Sequence, residues 1–152
     1  MHTGSTRCPA VVAALFLAAS VPAQGGSGPG GALAAYLATL PLESVDAIET
    51  YALQHMREEE KLARDVYWAL GQQWQLPVFA NIEQSEQSHM DLVLAMLNRY
   101  QITDPVTSNQ HGAFADPTLA ALYQIGVAVG SLSPAHAHRV LHLVQRDALH
   151  HA

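Results

Sequence analysis

Seven residues of this sequence, Phe79, Ile82, Glu86, His89, Val93, Met96 and Tyr100, follow one another at alternating steps of three and four. A strand repeats every second residue and cannot keep that spacing on one face, whereas an α-helix can. The spacing therefore predicts a helix over about Val78 to Tyr100, entered through Pro77, with a bundle-type seam. Five of the seven positions are ordinary core residues. The other two are a carboxylate and an imidazole one turn apart, both projecting from one face. A buried, unpaired carboxylate tends to protonate rather than stay charged. A divalent cation would supply the missing charge and also occupy the imidazole nitrogen. Glu86 and His89 are thus candidate metal ligands; the plainer reading of a lone Glu-x-x-His is a solvated surface pair.

A second long helix is expected from about Ser44 to Trp74. Ser44 or Asp46 can cap it, and Asp46 with Glu49 has capping-box spacing. Its apolar stripe reads Val45, Ile48, Ala52, Met56, Ala63, Val66 and Leu70, with Gly71 in the last turn. The run from Arg57 to Asp65 is densely charged. Its simplest reading is a solvated face with pairs such as Glu60–Arg64 and Lys61–Asp65. However, Glu60 shares a stripe with Met56, Ala63, Tyr67 and Trp74, and Glu59 shares one with Ala52, Val66 and Leu70. At least one of these carboxylates must approach the core. If the two helices pair antiparallel, a mid-helix Glu meets the mid-helix Glu-x-x-His.

Thr103 to Thr118 reads as a loop, followed by a helix over about Pro117 to Val129 with Gly130 at its C-terminal end. Ser133 caps a fourth helix, with Pro134 in its first position, that continues to the end of the chain. No strand pattern occurs, so the fold class is all-α. Ahead of the helices, Ala32 to Leu40 is a short Ala- and Leu-rich segment of a helical turn or two, stopped by Pro41. Residues 24–31 are a Gly-rich run with no means of packing, so 24–40 as a whole is assigned to a flexible linker.

The first 23 residues have the pattern of a signal peptide: Arg7, an apolar stretch from Ala10 to Ala19, and Val21-Pro22-Ala23 before the cut. That predicts export to the periplasm or beyond, and no membrane attachment after cleavage. The only cysteine, Cys8, lies inside this segment. A metal in the mature chain would have oxygen and imidazole ligands alone, which points to iron, manganese or zinc. The net charge of −6, with only seven Lys and Arg, argues against nucleic acid as a partner. No phosphate-cradling Gly loop, Cys-x-x-Cys-His or nucleophile elbow is present to suggest nucleotide, flavin, haem or Ser-hydrolase chemistry.

At the charged run and the seam, the sequence resembles the ferritin-like superfamily. Glu60-x-x-Ala63-Arg64-x-x-Tyr67 looks like the first-helix motif of its rubrerythrin branch, and Ser85-Glu86-Gln87-Ser88-His89-Met90 like the second-helix motif. More closely, the stretch from Met56 to Tyr67, Pro77-Val78-Phe79-Ala80-Asn81-Ile82 and Asp104-Pro105-Val106 are similar to the signature of a ferritin-like family called domain of unknown function 2202. The resemblance runs from about Leu40 to Val140. It implies an up-and-down helical bundle over residues 41–152, with two long N-terminal helices and a shortened C-terminal half. It makes Glu60, rather than Glu59, the third ligand. It also implies a dinuclear site, with iron as the expected metal, built from a Glu on each of two helices and a Glu-x-x-His on each of the other two.

The second half departs from that pattern. The resemblance implies a Glu pair near Gln145 and Arg146, and neither is a carboxylate. Glu60, Glu86 and His89 are therefore about half of a dinuclear site. Two chains could pair as a homodimer and complete it, one metal could be held with water or C-terminal histidines, or the chain could be a degenerate, inactive copy. His138 and His142 are spaced i,i+4, and Asp147, His150 and His151 follow. Such spacing can hold zinc or copper, but more often it is a solvated helix end. Two functions are open: a metal-dependent oxidoreductase or ferroxidase, with Tyr67 as a nearby donor or as plain core, and a non-catalytic metal- or partner-binding bundle.

Overall fold

Asp46 opens the first long helix, α1 (Ala47–Trp74). Its carboxylate accepts from the amides of Ile48 and Glu49 at 2.8 and 2.9 Å, and Glu49 accepts from the Asp46 amide at 2.9 Å. This reciprocal cap satisfies amides that the helix leaves open and is worth about 1 kcal/mol. Of the two candidate caps, Asp46 therefore takes the role and Ser44 lies outside. The helix ends at Gln75, whose left-handed backbone (φ 50°) returns its N–H to the Gly71 carbonyl. Pro77 follows as the first residue of α2 (Pro77–Arg99). So short a link forces the two helices antiparallel. The structure, a computed structural model, describes residues 35–137, 139 and 140. The expected signal peptide, the Gly-rich run, and His138, His142, Gln145, Arg146, Asp147, His150 and His151 lie outside the described residues.

The antiparallel register is fixed by polar and apolar contacts in turn. Arg57 donates to the Met90 carbonyl at 2.9 Å, Arg64 to the Gln87 side chain at 2.8 Å, and Gly71 faces Phe79. From α2 the chain returns along α1 through residues 101–116, and α3 (Pro117–Gly130) then runs parallel to α1. At the start of α3, the Ala115 amide donates to Glu58; at its end, the Trp74 indole donates to the Gly130 carbonyl at 3.1 Å. Ser133 accepts from the His136 amide, as expected of a cap, and residues 134–137 begin a fourth helix. The described residues are all-α, with no strand among them. None of their helices is long and apolar enough to cross a membrane.

The core forms two apolar clusters along the α1–α2 pair. One joins Leu62, Val66, Tyr67, Leu70, Phe79, Leu119, Ala137 and Val140; the other joins Leu37, Leu53, Leu92, Val93, Met96 and Leu97. Leu37 belongs to a helical turn over 35–39, so the last residues assigned to the linker are part of the packed unit. The α2 seam is confirmed at Phe79, Glu86, Val93 and Met96, all buried, although Met90, Leu92 and Leu97 widen it.

Two expectations need correction. The first concerns the start of the α1 stripe: Ile48 is 77% exposed, and Leu53 is the buried residue instead. Second, the charged run is not a solvated face. Arg57, Glu58, Lys61, Arg64 and Asp65 are all buried: the returning segment lies on Arg57, Glu58, Lys61 and Asp65, and Gln87 of α2 meets Arg64. The Lys61–Asp65 pair forms at 2.6 Å inside the protein, while Arg64 bonds Asp65 and Gln87 rather than Glu60. Gly130 is the last residue of its helix, as expected, and it has a second role. A Cβ there would lie 2.6 Å from the Leu70 side chain, so the glycine allows α3 to approach α1.

Candidate metal centre

Along α1, Leu53 and Met56 lie in one apolar cluster and Leu62 and Val66 in the other; along α2, Val93 and Met96 lie in the first and Phe79 and Ile82 in the second. Glu60, Glu86 and His89 fall in the gap between the clusters. Antiparallel packing places mid-α1 opposite mid-α2, so the three side chains converge. The His89 Nδ1 lies 2.9 Å from the Glu86 carboxylate and 3.3 Å from that of Glu60. One ligand atom from each residue can be chosen so that all three lie within 4.8 Å of one another. The Glu86 side chain is 7% exposed, against 20% for His89 and 24% for Glu60. The site thus opens to solvent on the Glu60–His89 side.

The electrostatics follow from two carboxylates sharing one imidazole. Hydrogen bonding to Glu60, and then to Glu86, holds the His89 pKa up at about 10. His89 is therefore protonated near neutrality, and its Nδ1–H donates to Glu86. Burial raises the Glu60 pKa above the usual carboxylate value; the hydrogen bond from His89 opposes this, and the Glu86 charge adds to it. Beside the site, the Tyr67 hydroxyl is buried and has no hydrogen-bond partner. Burial, and then the Glu86 charge, push its pKa above the ordinary phenol value.

The donor set suits a divalent cation. Two carboxylate oxygens and one imidazole nitrogen are ligands that iron, manganese and zinc accept. A cation would displace the His89 proton and take over its role of neutralising both carboxylates. The neighbouring carboxylates do not compete for it. Glu59 turns to His55 at 3.2 Å, so Glu60 is the residue of the acidic run that faces His89. Asp65 is fully buried and already accepts from Lys61, Arg64, His111 and the Gly112 amide.

Of that Asp65 cluster, the sequence announces the Lys61 pair but not the partners from the returning segment. His111 stacks on Trp68, with centroids 4.0 Å apart and planes within 5°, and its Nδ1 lies 3.1 Å from Asp65. Its partners are some 46 residues away, and no local spacing announces them. Tyr67 was legible as a residue near the site, on the Glu60 stripe, but not as a hydroxyl without a partner.

Residues 49–148 match the family described as an uncharacterized protein domain, DUF2202. The chain belongs to that family. All three candidate ligands fall within the matched DUF2202 region. The uncharacterized protein MJ0754 of Methanocaldococcus jannaschii is 44% identical over 105 residues, which cover 69% of this chain and 57% of that protein. The crystal structure of hypothetical protein MJ0754 from Methanococcus jannaschii superposes with a TM-score of 0.68 at 42% identity, covering 70% of this chain and 61% of that one. The chain thus spans less than two thirds of the length of the relative it matches.

Proposed function

We propose that this DUF2202 protein is an exported metal-binding bundle of ferritin-like type. Glu60, Glu86 and His89 each give a ligand atom to one divalent cation, with iron the metal that suits the site best. The observation that carries the reading is the convergence of these three groups, from two helices, in a polar gap between two apolar clusters. Three donors leave the coordination of a cation incomplete. A second copy of the chain, bringing its own three, would complete a dinuclear centre in a homodimer. Iron bound there would supply one-electron redox chemistry toward dioxygen or peroxide, as in a di-iron oxidoreductase or ferroxidase. This chain's own part is to hold the carboxylates in place and to release the His89 proton on loading.

A second reading has its own support. His89 already bonds both carboxylates, so the cluster is satisfied without a metal. On that reading the protein is a non-catalytic bundle, or an inactive copy, in which the triad only joins α1 to α2. Metal analysis and oxygen uptake separate the two. On the first reading, protein loaded with ferrous iron retains about two irons per dimer and consumes oxygen, and Glu86→Ala retains none. Equal iron in the wild type and in Glu86→Ala would remove the assignment. Bound iron without oxygen uptake would leave a non-catalytic metal site.

A further inference from the structure

Two buried arginines flank Glu60 on α1, Arg57 before it and Arg64 after it, with 5% and 6% exposure. They are two helical turns apart, so both project from one flank of the helix. Their hydrogen bonds follow one pattern. Each guanidinium turns its Nε and Nη2 edge to a carboxylate of its own. Arg57 meets Asp104 at 3.2 and 3.1 Å, and Arg64 meets Asp65 at 2.9 and 2.7 Å. Each then sends Nη1 across to α2, Arg57 to the Met90 carbonyl at 2.9 Å and Arg64 to the Gln87 side chain at 2.8 Å. Met90 follows His89 directly, and Gln87 follows Glu86. The two bridges therefore land beside the two α2 ligands. Elsewhere along the pair, apolar side chains set the distance between the helices. At the level of Glu60, Glu86 and His89 the apolar clusters are interrupted, and two like-charged carboxylates across a gap favour a wider one. The bridges supply what the apolar contacts do not. A guanidinium is planar, with its donors in fixed positions. Anchored along one edge by a carboxylate, it holds the α2 atom on its Nη1 at a set distance from α1. Each cation has its own carboxylate, so neither bonds Glu60 or Glu86.

We propose that Arg57 and Arg64 are positioning residues for the metal centre. Their two bridges fix the α1–α2 spacing at which Glu60 on one helix, and Glu86 with His89 on the other, reach a single cation. This role rests on the metal-binding reading above. Carboxylate oxygens and imidazole nitrogens sit about 2.0–2.2 Å from an ion such as zinc. A helix displaced by a fraction of an ångström therefore strains every bond to the ion. Groups that hold metal ligands in place from behind are commonly worth roughly 10- to 100-fold in affinity.

Replacing either arginine would leave a carboxylate without its cation, so the test loosens each bridge at its partner instead. Gln87→Met removes the acceptor on α2, and Asp104→Asn weakens the anchor behind Arg57. Gln73→Met, which breaks an α1–α3 contact to Ser131, is the control. Ferrous iron alone is titrated anaerobically into each protein by calorimetry, and the metal-free melting temperature of each is recorded. A second readout loads cobalt(II), whose visible absorption reports the geometry of its ligands. Gln87→Met and Asp104→Asn are each expected to bind iron about tenfold more weakly, with an altered cobalt spectrum. Gln73→Met is expected to keep both within twofold of wild type. Should one bridge variant fail to fold, the other carries the test. Iron affinity within twofold of wild type in the bridge variants, with an unchanged cobalt spectrum, would overturn the proposal. The bridges would then serve the fold alone, and the metal site would stand. Equal weakening in Gln73→Met would also overturn it, since affinity would then follow general loosening of the bundle. Wild type that binds no iron would remove the metal reading and this proposal with it.

Discussion

Replacing Asp65 with alanine is expected to cost about 3 kcal/mol of stability. The carboxylate is 0% exposed and sits against two buried cations, Lys61 at 2.6 Å and Arg64 at 2.7 Å. It also accepts from His111 at 3.1 Å and the Gly112 amide at 3.0 Å, so it ties the returning segment to α1. Breaking a buried pair by removing one partner ordinarily costs 3–5 kcal/mol, because the charge left behind is uncompensated. Each cation keeps one other hydrogen bond, Lys61 to the Gln110 carbonyl and Arg64 to Gln87, which argues for the lower end of that range. For a domain of this size, about 3 kcal/mol lowers the melting temperature by roughly 12–24 °C. Circular dichroism melts and urea titrations of wild type, Asp65→Ala and Asp65→Asn would measure it, with exposed Asp91→Ala as a control expected within ~0.5 kcal/mol of wild type. A loss below about 1 kcal/mol for Asp65→Ala would refute the argument, since that is the scale of a solvated ion pair.

The remaining predictions concern pH and helix packing. His89 has its pKa raised to about 10, so its stabilisation is complete below the unfolded value near 6.5 and is lost as pH rises through about 10. Burial raises the Glu60 pKa as well, which also makes the folded state bind protons more readily and adds a loss in the same direction. Metal-free protein should therefore lose stability between pH 7 and 10 in urea titrations, and a flat profile would show that His89 is not held protonated. Near neutrality, metal binding should release a proton, measured by calorimetry in buffers of different ionisation enthalpy; no buffer dependence would contradict this. Gly130→Ala should destabilise by about 1–3 kcal/mol, because its Cβ would meet Leu70 at 2.6 Å. Gly71→Ala, whose Cβ would lie 3.6 Å from Phe79, should be neutral or stabilising by up to about 1 kcal/mol in the same melts.

Legibility in the sequence tracked how local each determinant is. The α2 seam could be read because one helix face repeats it seven times, and the Asp46 cap because both partners lie within four residues. That a mid-α1 carboxylate meets Glu86 and His89 followed from a short link and antiparallel pairing, whereas helical periodicity left Glu59 and Glu60 both open and the family resemblance pointed to Glu60. The burial of the charged run could not be read, because what covers Lys61 and Asp65 is chain some 47–49 residues later, held by the Gln110 carbonyl and the Gly112 amide. Ile48 and Leu53 exchanged roles for a similar reason. Helical periodicity allows either to face inward, and Leu37, Val93 and Leu97 are what select Leu53. Gly130 ends its helix as its position suggests, while its second role, the close approach of α3 to α1, shows only in the contact with Leu70.

Anomalous diffraction at the iron edge, from crystals grown with ferrous iron under anaerobic conditions, would test whether Glu60, Glu86 and His89 hold a cation together. A peak is expected at ordinary bonding distance from one oxygen each of Glu60 and Glu86 and from a ring nitrogen of His89, with the His89–Glu86 hydrogen bond replaced. A site without a peak, with the His89 Nδ1 still 2.9 Å from Glu86, would contradict it.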